Sequence, residues 1–195
     1  MTKSREYRQE DRDEFMALLG TCITEWAWIE EEVYQVCHRV LGTVSEHTSI
    51  IYYRTPTLEA RLNLANELMA TIFPKPENGK HPDSDSLVWS KLLGEIKDAM
   101  PVRNQLAHSP TGAAIFGFMD DETGEVSEGV EIKMQSYPRS QELARPGKPA
   151  KKELRSEDLA TYLPMVRHLH TRLRTFRLDI LPNHVKRVFP QHCSI

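Results

Sequence analysis

Residues 103–108, Arg103-Asn104-Gln105-Leu106-Ala107-His108, close an apolar helical run and are followed by Ser109-Pro110. A residue that precedes proline is pushed out of the helical region, so the helix is expected to end at about His108 or Ser109. Asn104 and His108 are i and i+4 on a helix and share one face, whereas Arg103 reaches the imidazole only through the length of its side chain. The stretch therefore predicts three polar side chains lining one pocket at a helix C-terminus.

The helix that contains this stretch is predicted over about residues 86–108, and its apolar side chains form a seam. In steps of four, three and four, the seam passes through Trp89, Leu93, Ile96 and Met100. Its next positions are Arg103 and Ala107, and Pro101 is expected to kink or restart the helix just before them. An arginine on the continuation of a core seam is unfavourable unless it is paired or faces a partner, a ligand or a wet cleft. We interpret this end of the seam as a cleft.

Two further helices are predicted upstream. The first runs from about Gln9 to Gly42, where glycine accepts the left-handed conformation of a C-cap. Its predicted seam is Phe15, Leu19, Cys22, Trp26, Ile29, Val33, Val36 and Val40. The second begins at Thr55-Pro56-Thr57, with Thr55 as the cap, and ends before Pro74. Its predicted seam is Leu58, Leu62, Ala65, Met69 and Ile72.

Downstream of Pro110 the apolar period changes from helical to two. This change predicts a β-hairpin at about residues 112–137, with an acidic turn at 120–125. A basic loop rich in proline is predicted at about residues 138–155, and Ser156 then caps a last long helix. The tail from Pro182 carries no helical pattern. The predicted seam of the last helix is Tyr162, Val166, Leu169, Leu173, Phe176 and Ile180.

Basic side chains form a second stripe on that last helix, displaced by one residue from its seam. The stripe consists of Arg167, His170, Arg174 and Arg177. Together with Lys151 and Lys152 of the basic loop, it is a candidate for RNA binding through phosphates. The alternative is a solvated flank that pairs with the acidic first helix. The acidic run Glu30–Glu32 of that helix is itself predicted to be a solvated face.

Composition and charge narrow the class of protein. A length of 195 residues suits one domain. The net charge of −3 is the sum of an acidic first part and a basic last third. Residues 1–100 hold 11 basic against 17 acidic side chains, and residues 138–195 hold 12 against 5. Three scattered cysteines predict no disulfide framework, and no apolar run is long enough for a membrane span, so we expect a cytoplasmic protein. Neither a glycine-rich phosphate loop nor a zinc-binding pattern is present in the sequence.

The pattern Arg-Asn-x-x-Ala-His at residues 103–108 resembles the Arg-x4-His motif of the HEPN superfamily. Members of this superfamily are small helical bundles, often dimers, and many are metal-independent ribonucleases of toxin–antitoxin and phage-defence systems. The resemblance extends loosely to helix order over roughly residues 9–180. It implies an all-α, HEPN-like bundle of four to five helices that forms a single domain over residues 1–195, with the hairpin inserted after the motif helix. A homodimer, an RNA substrate and an antitoxin or other protein partner are also implied, without a metal or cofactor.

The chemistry implied by the resemblance is cleavage of RNA through attack of the ribose 2'-hydroxyl. His108 would then transfer a proton, Arg103 would stabilise the phosphorane charge, and Asn104 would orient the histidine or the phosphate. Two alternatives remain open. The chain is a non-catalytic HEPN-like module that binds a nucleotide, RNA or a protein, or the three side chains only bind free carbonyls and end their helix.

Overall fold

The computed structural model describes residues 9–73, 84–109, 111–119, 126–134 and 153–189, and for 112–119 and 126–131 it describes the backbone alone. The protein is mostly helical with a small antiparallel sheet, which confirms the helical class but not the HEPN-like arrangement. The elements in chain order are helices α1 (Gln9–Leu41), α2 (Ser45–Arg54), α3 (Leu58–Met69) and α4 (Ser84–His108), strands β1 (Thr111–Met119), β2 (Val126–Met134) and β3 (Leu154–Arg155), helix α5 (Ser156–Thr175), a π-helical segment (Phe176–Ile180) and helix α6 (Leu181–Val188).

The chain divides into two compact units. One comprises residues 1–24 and 102–164, and the other comprises residues 25–101 and 165–195. The sheet and the last turns of α4 belong to the first unit, and α2, α3 and α6 belong to the second. The single domain over residues 1–195 stays a prediction.

Helix α1 is one continuous helix of 33 residues, as its seam predicted. All eight predicted seam side chains are buried. Gly42 follows the helix with a φ of 57°, and its N–H donates to the His38 carbonyl at 3.1 Å. The predicted glycine C-cap is therefore confirmed, because this φ is open to glycine at no steric cost.

Helix α2 was not predicted, and its presence corrects the predicted start of the next helix. Thr55 follows α2 and donates its backbone N–H to the Tyr52 carbonyl, so it ends one helix instead of starting another. The cap of α3 is Thr57, whose Oγ1 accepts a hydrogen bond from the Ala60 N–H at 3.1 Å. The predicted cap was thus two residues early, but every predicted seam residue from Leu58 to Ile72 is buried.

Helix α4 passes through Pro101 without a break, and its seam differs from the prediction after Ile96. Met100 is only half-buried and Ala107 is exposed, whereas Ala99 and Leu106 are buried. The core line therefore moves one residue earlier in each of these turns. Arg103 lies seven residues after Ile96, two helical turns along the same face, and it is half-buried beside the core.

The predicted hairpin is confirmed as strands β1 and β2. Their antiparallel register runs from Thr111 opposite Met134 to Met119 opposite Val126. A short third strand, which was not predicted, pairs Leu154 with Met134 and Arg155 with Lys133. The acidic turn at 120–125 and most of the basic loop, including Lys151 and Lys152, lie outside the described residues.

The last predicted helix is present, but Ser156 is its first residue and not the cap that was predicted. Arg155 precedes the helix, and its N–H donates to the Asp158 carboxylate at 3.1 Å. Its seam is buried from Tyr162 to Phe176, but the prediction of Ile180 is wrong. The π-helical segment, with its i to i+5 bonds, adds one residue to the turn, and the Leu181 N–H donates to the Phe176 carbonyl. Leu181 therefore takes the buried position, and the chain continues into α6, a helix that was not predicted.

Burial makes the cysteines of α1 poor nucleophiles. Cys22 and Cys37 are buried thiols, and burial raises the pKa of Cys37 to about 12. Because the thiolate is the reactive form, we expect a Cys193→Ser variant to give no labelling by Ellman's reagent at pH 8 while folded. Two thiols should react once the protein is unfolded in guanidinium. Rapid labelling of the folded variant would contradict the burial of these side chains.

Candidate functional site at the end of helix α4

The predicted catalytic residues occupy the last two turns of α4. Arg103 and Asn104 are half-buried, and Arg103 donates from Nη1 to Asn104 Oδ1 at 3.3 Å. His108 is the last residue of the helix and is exposed. The structure thus brings the guanidinium and the amide together directly, and the imidazole lies one helical turn from the amide on the same face.

Burial differs around this turn of the helix. Gln105 and Leu106 are buried, Arg103 and Asn104 are half-buried, and His108 is exposed. The Ser109 N–H donates to the Gln105 carbonyl at 2.9 Å, which closes the final turn after the histidine. Asn104 and His108 therefore both belong to a regular, hydrogen-bonded helix.

Two basic side chains, Arg103 and His108, lie in the last two turns of α4. The C-terminus of a helix carries partial negative charge, so basic side chains are favourable there. A guanidinium has five N–H donors in a planar fork, and Arg103 directs one of them to Asn104. Arginine and histidine side chains at one helix end can contact the oxygens of a phosphate.

The predicted RNA-binding stripe of α5 is largely paired with α1 inside the second unit. Arg167 Nε lies 2.9 Å from Glu25 Oε1, and His170 Nδ1 lies 3.5 Å from Glu25 Oε2. Arg177 binds Glu32 through both Nε and Nη2, the second bond measuring 3.3 Å. The geometry thus matches the alternative of pairing with the acidic first helix. The role of the stripe in RNA binding stays a prediction.

These pairs correct the prediction that Glu30–Glu32 is a solvated face. Glu32 is buried against Arg177, and Glu30 lies 3.4 Å from Arg61 Nη1. The guanidinium of Arg61 also lies over the rings of Tyr52 and Tyr53, at 5.3 and 5.6 Å from their centroids. The acidic run therefore fastens α1 to its neighbours within the second unit, because buried carboxylates require partners.

Arg174 differs from the rest of the stripe. It is exposed, and among the residues that the structure describes it has neither a salt bridge nor a side-chain hydrogen bond. It lies at a cavity of about 520 Å³ within the second unit. The cavity is lined by Trp28, Glu31, Glu32, Gln35, His170, Arg174 and Arg177.

The α1 side of this cavity was not predicted. Trp28 is 53% exposed, and its ring is parallel to that of His170 with the centroids 6.3 Å apart. The signal that was available is its position, because Trp28 falls between the seam residues Trp26 and Ile29 and so lies off the apolar face. A large aromatic residue on a polar helix face is a candidate for ligand contact.

A buried histidine, His184, also escaped the sequence analysis. Arg187 Nη2 lies 3.0 Å from His184 Nδ1 and donates to it, because an arginine can only donate. The other ring nitrogen, Nε2, therefore carries the proton and donates to Asp85 Oδ2 at 2.8 Å. Both ring nitrogens are therefore occupied. The triad fastens α6 to the start of α4 within the second unit, and we assign it a structural role.

Among the described residues, no group of three or more His, Cys, Asp and Glu side chains is placed to hold a metal ion. Within the same residues, every helix is too short or too polar to cross a bilayer. Comparison of the chain with family models, with curated proteins and with solved structures gave no match.

Proposed function

We propose that the protein is a HEPN-like, metal-independent endoribonuclease that uses Arg103, Asn104 and His108. The observation that supports this proposal is the Arg103–Asn104 hydrogen bond, one helical turn before an exposed histidine. These groups supply a cation, an amide and a proton-transfer group on one rigid helix end. Rigid placement of such groups is what general acid–base catalysis on a phosphodiester requires.

The proposed reaction needs no external nucleophile. The ribose 2'-oxygen attacks the adjacent phosphorus, the bond from phosphorus to the 5'-oxygen breaks, and a 2',3'-cyclic phosphate and a 5'-hydroxyl form. One proton leaves the 2'-hydroxyl and one reaches the departing 5'-oxygen, so atoms and charge balance without water. His108 is the proposed acid, and Arg103 is proposed to bind the phosphoryl oxygens as their charge grows.

Proton removal and proton donation call for two groups, and one chain places one histidine at this helix end. We therefore propose a homodimer in which two copies of the motif face one RNA strand. A second histidine from the other copy would act as the base. An antitoxin or another protein partner is proposed to cover this site in the cell.

The test is incubation of the purified protein with a labelled RNA in EDTA, followed by identification of the product ends. We expect cyclic phosphate and 5'-hydroxyl ends, and a loss of rate of at least about a hundredfold for His108→Ala and for Arg103→Ala. His168→Ala is the matched control, because His168 is an exposed histidine on α5 outside the motif. Its cleavage rate should equal that of the unmodified protein.

Three results would overturn the proposal. They are equal cleavage by the His108→Ala protein, activity that EDTA abolishes, and products that carry 3'-hydroxyl ends. Retention of RNA without cleavage would favour the alternative, a non-catalytic helical module. The oligomeric state of each variant, measured by light scattering, separates a loss of chemistry from a loss of the dimer.

A further inference from the structure

We infer that the cavity between Trp28 and Arg174 binds the guanine base and the phosphate of a guanine nucleotide. The cavity lies between α1 and the helical segment 165–180, and all of its lining residues belong to the second unit. Its volume of about 520 Å³ falls within the range of small-molecule sites. None of its residues belongs to the proposed catalytic set.

An aromatic platform is the first observation that points to a base. Trp28 is 53% exposed, whereas Trp26 and Trp89 are buried, so it is the one indole in this chain with a free face. Its ring is within 6° of parallel to the ring of His170. Glu25 Oε2 lies 3.5 Å from His170 Nδ1, and the His170 side chain is 18% exposed. Nucleobases stack on exposed indole rings such as that of Trp28.

The hydrogen-bonding groups beside the platform select among bases. Glu31 and Gln35 are one turn apart on α1, and Gln35 Nε2 donates to Glu31 Oε1 at 2.7 Å. The carboxylate has further lone pairs and the amide keeps one N–H, so the pair offers two acceptors and a donor. Guanine presents two adjacent N–H donors and a carbonyl on one edge, which match this set. Adenine, cytosine and uracil each lack the two adjacent donors.

The charges around the cavity leave one cation for a phosphate. Arg177 is paired with Glu32, and Arg167 and His170 share Glu25. Arg174 is exposed and has no such partner among the described residues. An exposed guanidinium can bind a phosphate through two parallel N–H donors, and Arg174 would do so while Glu31 binds the base.

This inference goes beyond the proposed ribonuclease and does not depend on it. The same chemistry occurs in a free guanine nucleotide and in a guanosine of an RNA strand. His108→Ala should therefore leave binding at the cavity unchanged, so that a failure of the catalytic proposal and a failure of this one are distinguishable.

The first measurement is a titration of the whole protein with 5'-GMP, in which binding is detected by tryptophan fluorescence and by calorimetry. We expect 5'-GMP to quench the tryptophan fluorescence, because Trp28 is the accessible indole. The Trp28→Phe protein should show no quenching, but calorimetry should show that it still binds 5'-GMP. The affinity for 5'-AMP should be weaker by about tenfold or more, since a charge-assisted hydrogen bond is lost. Equal affinity for the two nucleotides, or inorganic phosphate that binds as tightly as 5'-GMP, would overturn the inference.

Substitutions separate the base contact from the phosphate contact. Glu31→Gln should lower the affinity for 5'-GMP by about tenfold, because the neutral amide has one acceptor oxygen where the carboxylate has two. The affinity for 5'-AMP should not change. Arg174→Ala should lower the affinity for 5'-GMP by a similar factor and should not change the affinity for guanosine, which has no phosphate. Arg12→Ala removes one exposed charge near the start of α1, far along the helix from Glu31, and should change neither affinity. An unchanged 5'-GMP affinity in both Glu31→Gln and Arg174→Ala would place the nucleotide elsewhere and contradict the inference.

The source of the nucleotide follows from a third comparison. Hexaribonucleotides with and without one guanine are titrated beside 5'-GMP. Tighter binding of the guanine-containing hexamer supports an RNA subsite, and tighter binding of 5'-GMP supports a free nucleotide. Failure of the protein to bind either one would overturn the assignment of the cavity.

Discussion

Glu32→Ala is expected to lower the free energy of unfolding by about 3 kcal/mol or more. Glu32 is 6% exposed and binds Arg177, whose side chain is 17% exposed. Removing the carboxylate leaves a half-buried guanidinium without its counterion, and this penalty adds to the attraction that is lost. Urea unfolding at pH 7, followed by circular dichroism, measures the change.

A double-mutant cycle separates the pair from its parts. Arg177→Ala alone should also destabilise, and adding it to Glu32→Ala should restore part of the lost stability because the unpaired charge is gone. Glu67→Ala is the matched control, since Glu67 is an exposed glutamate on α3, and it should cost less than about 0.5 kcal/mol. If Glu32→Ala and Glu67→Ala cost the same, the buried pair does not hold α1 in place.

The regular helices were predictable because burial on one face imposes its own period. The seam of α1 from Phe15 to Val40 is buried at every predicted position. Helix α2 was missed for the opposite reason, since Ile50, Ile51 and Tyr53 are exposed on it and the buried residues are Thr48 and Tyr52. It is fixed by tertiary hydrogen bonds, such as that from the Tyr52 hydroxyl to the Glu30 carbonyl at 2.9 Å. No local period records a bond of that kind.

In the candidate sites, too, contacts between residues close in sequence were predicted, and contacts between residues far apart in sequence were not. Asn104 and His108 were placed together by helix geometry alone, which depends on a spacing of four residues. The contact between Arg167 and Glu25 joins residues 142 positions apart. Pairing of the basic stripe with the acidic first helix was one of two alternatives, and the residues that form the pairs were not predicted. Trp28 was not predicted because it lies off the apolar seam, and the helical period marks only the buried face.

The π-helical segment gives the second large expected effect. Leu181→Ala should lower the free energy of unfolding by about 2 to 5 kcal/mol, the usual loss for a fully buried aliphatic side chain. Ile180→Ala should cost about half of this or less, because Ile180 keeps part of its surface in water. Leucine and isoleucine are isomers, so the two substitutions remove the same atoms and differ only in burial. Urea unfolding of both variants makes the comparison.

The order of the two losses reports the helix phase directly. A helix that kept 3.6 residues per turn after Phe176 would place Ile180 on the core face and would make its loss the larger one. With i to i+5 bonds the chain gains one residue in that turn, and the core face passes to Leu181 and then to Val185 four residues later. That phase also aims His184 at Asp85, so a larger loss for Ile180→Ala would remove the basis for the buried triad as well.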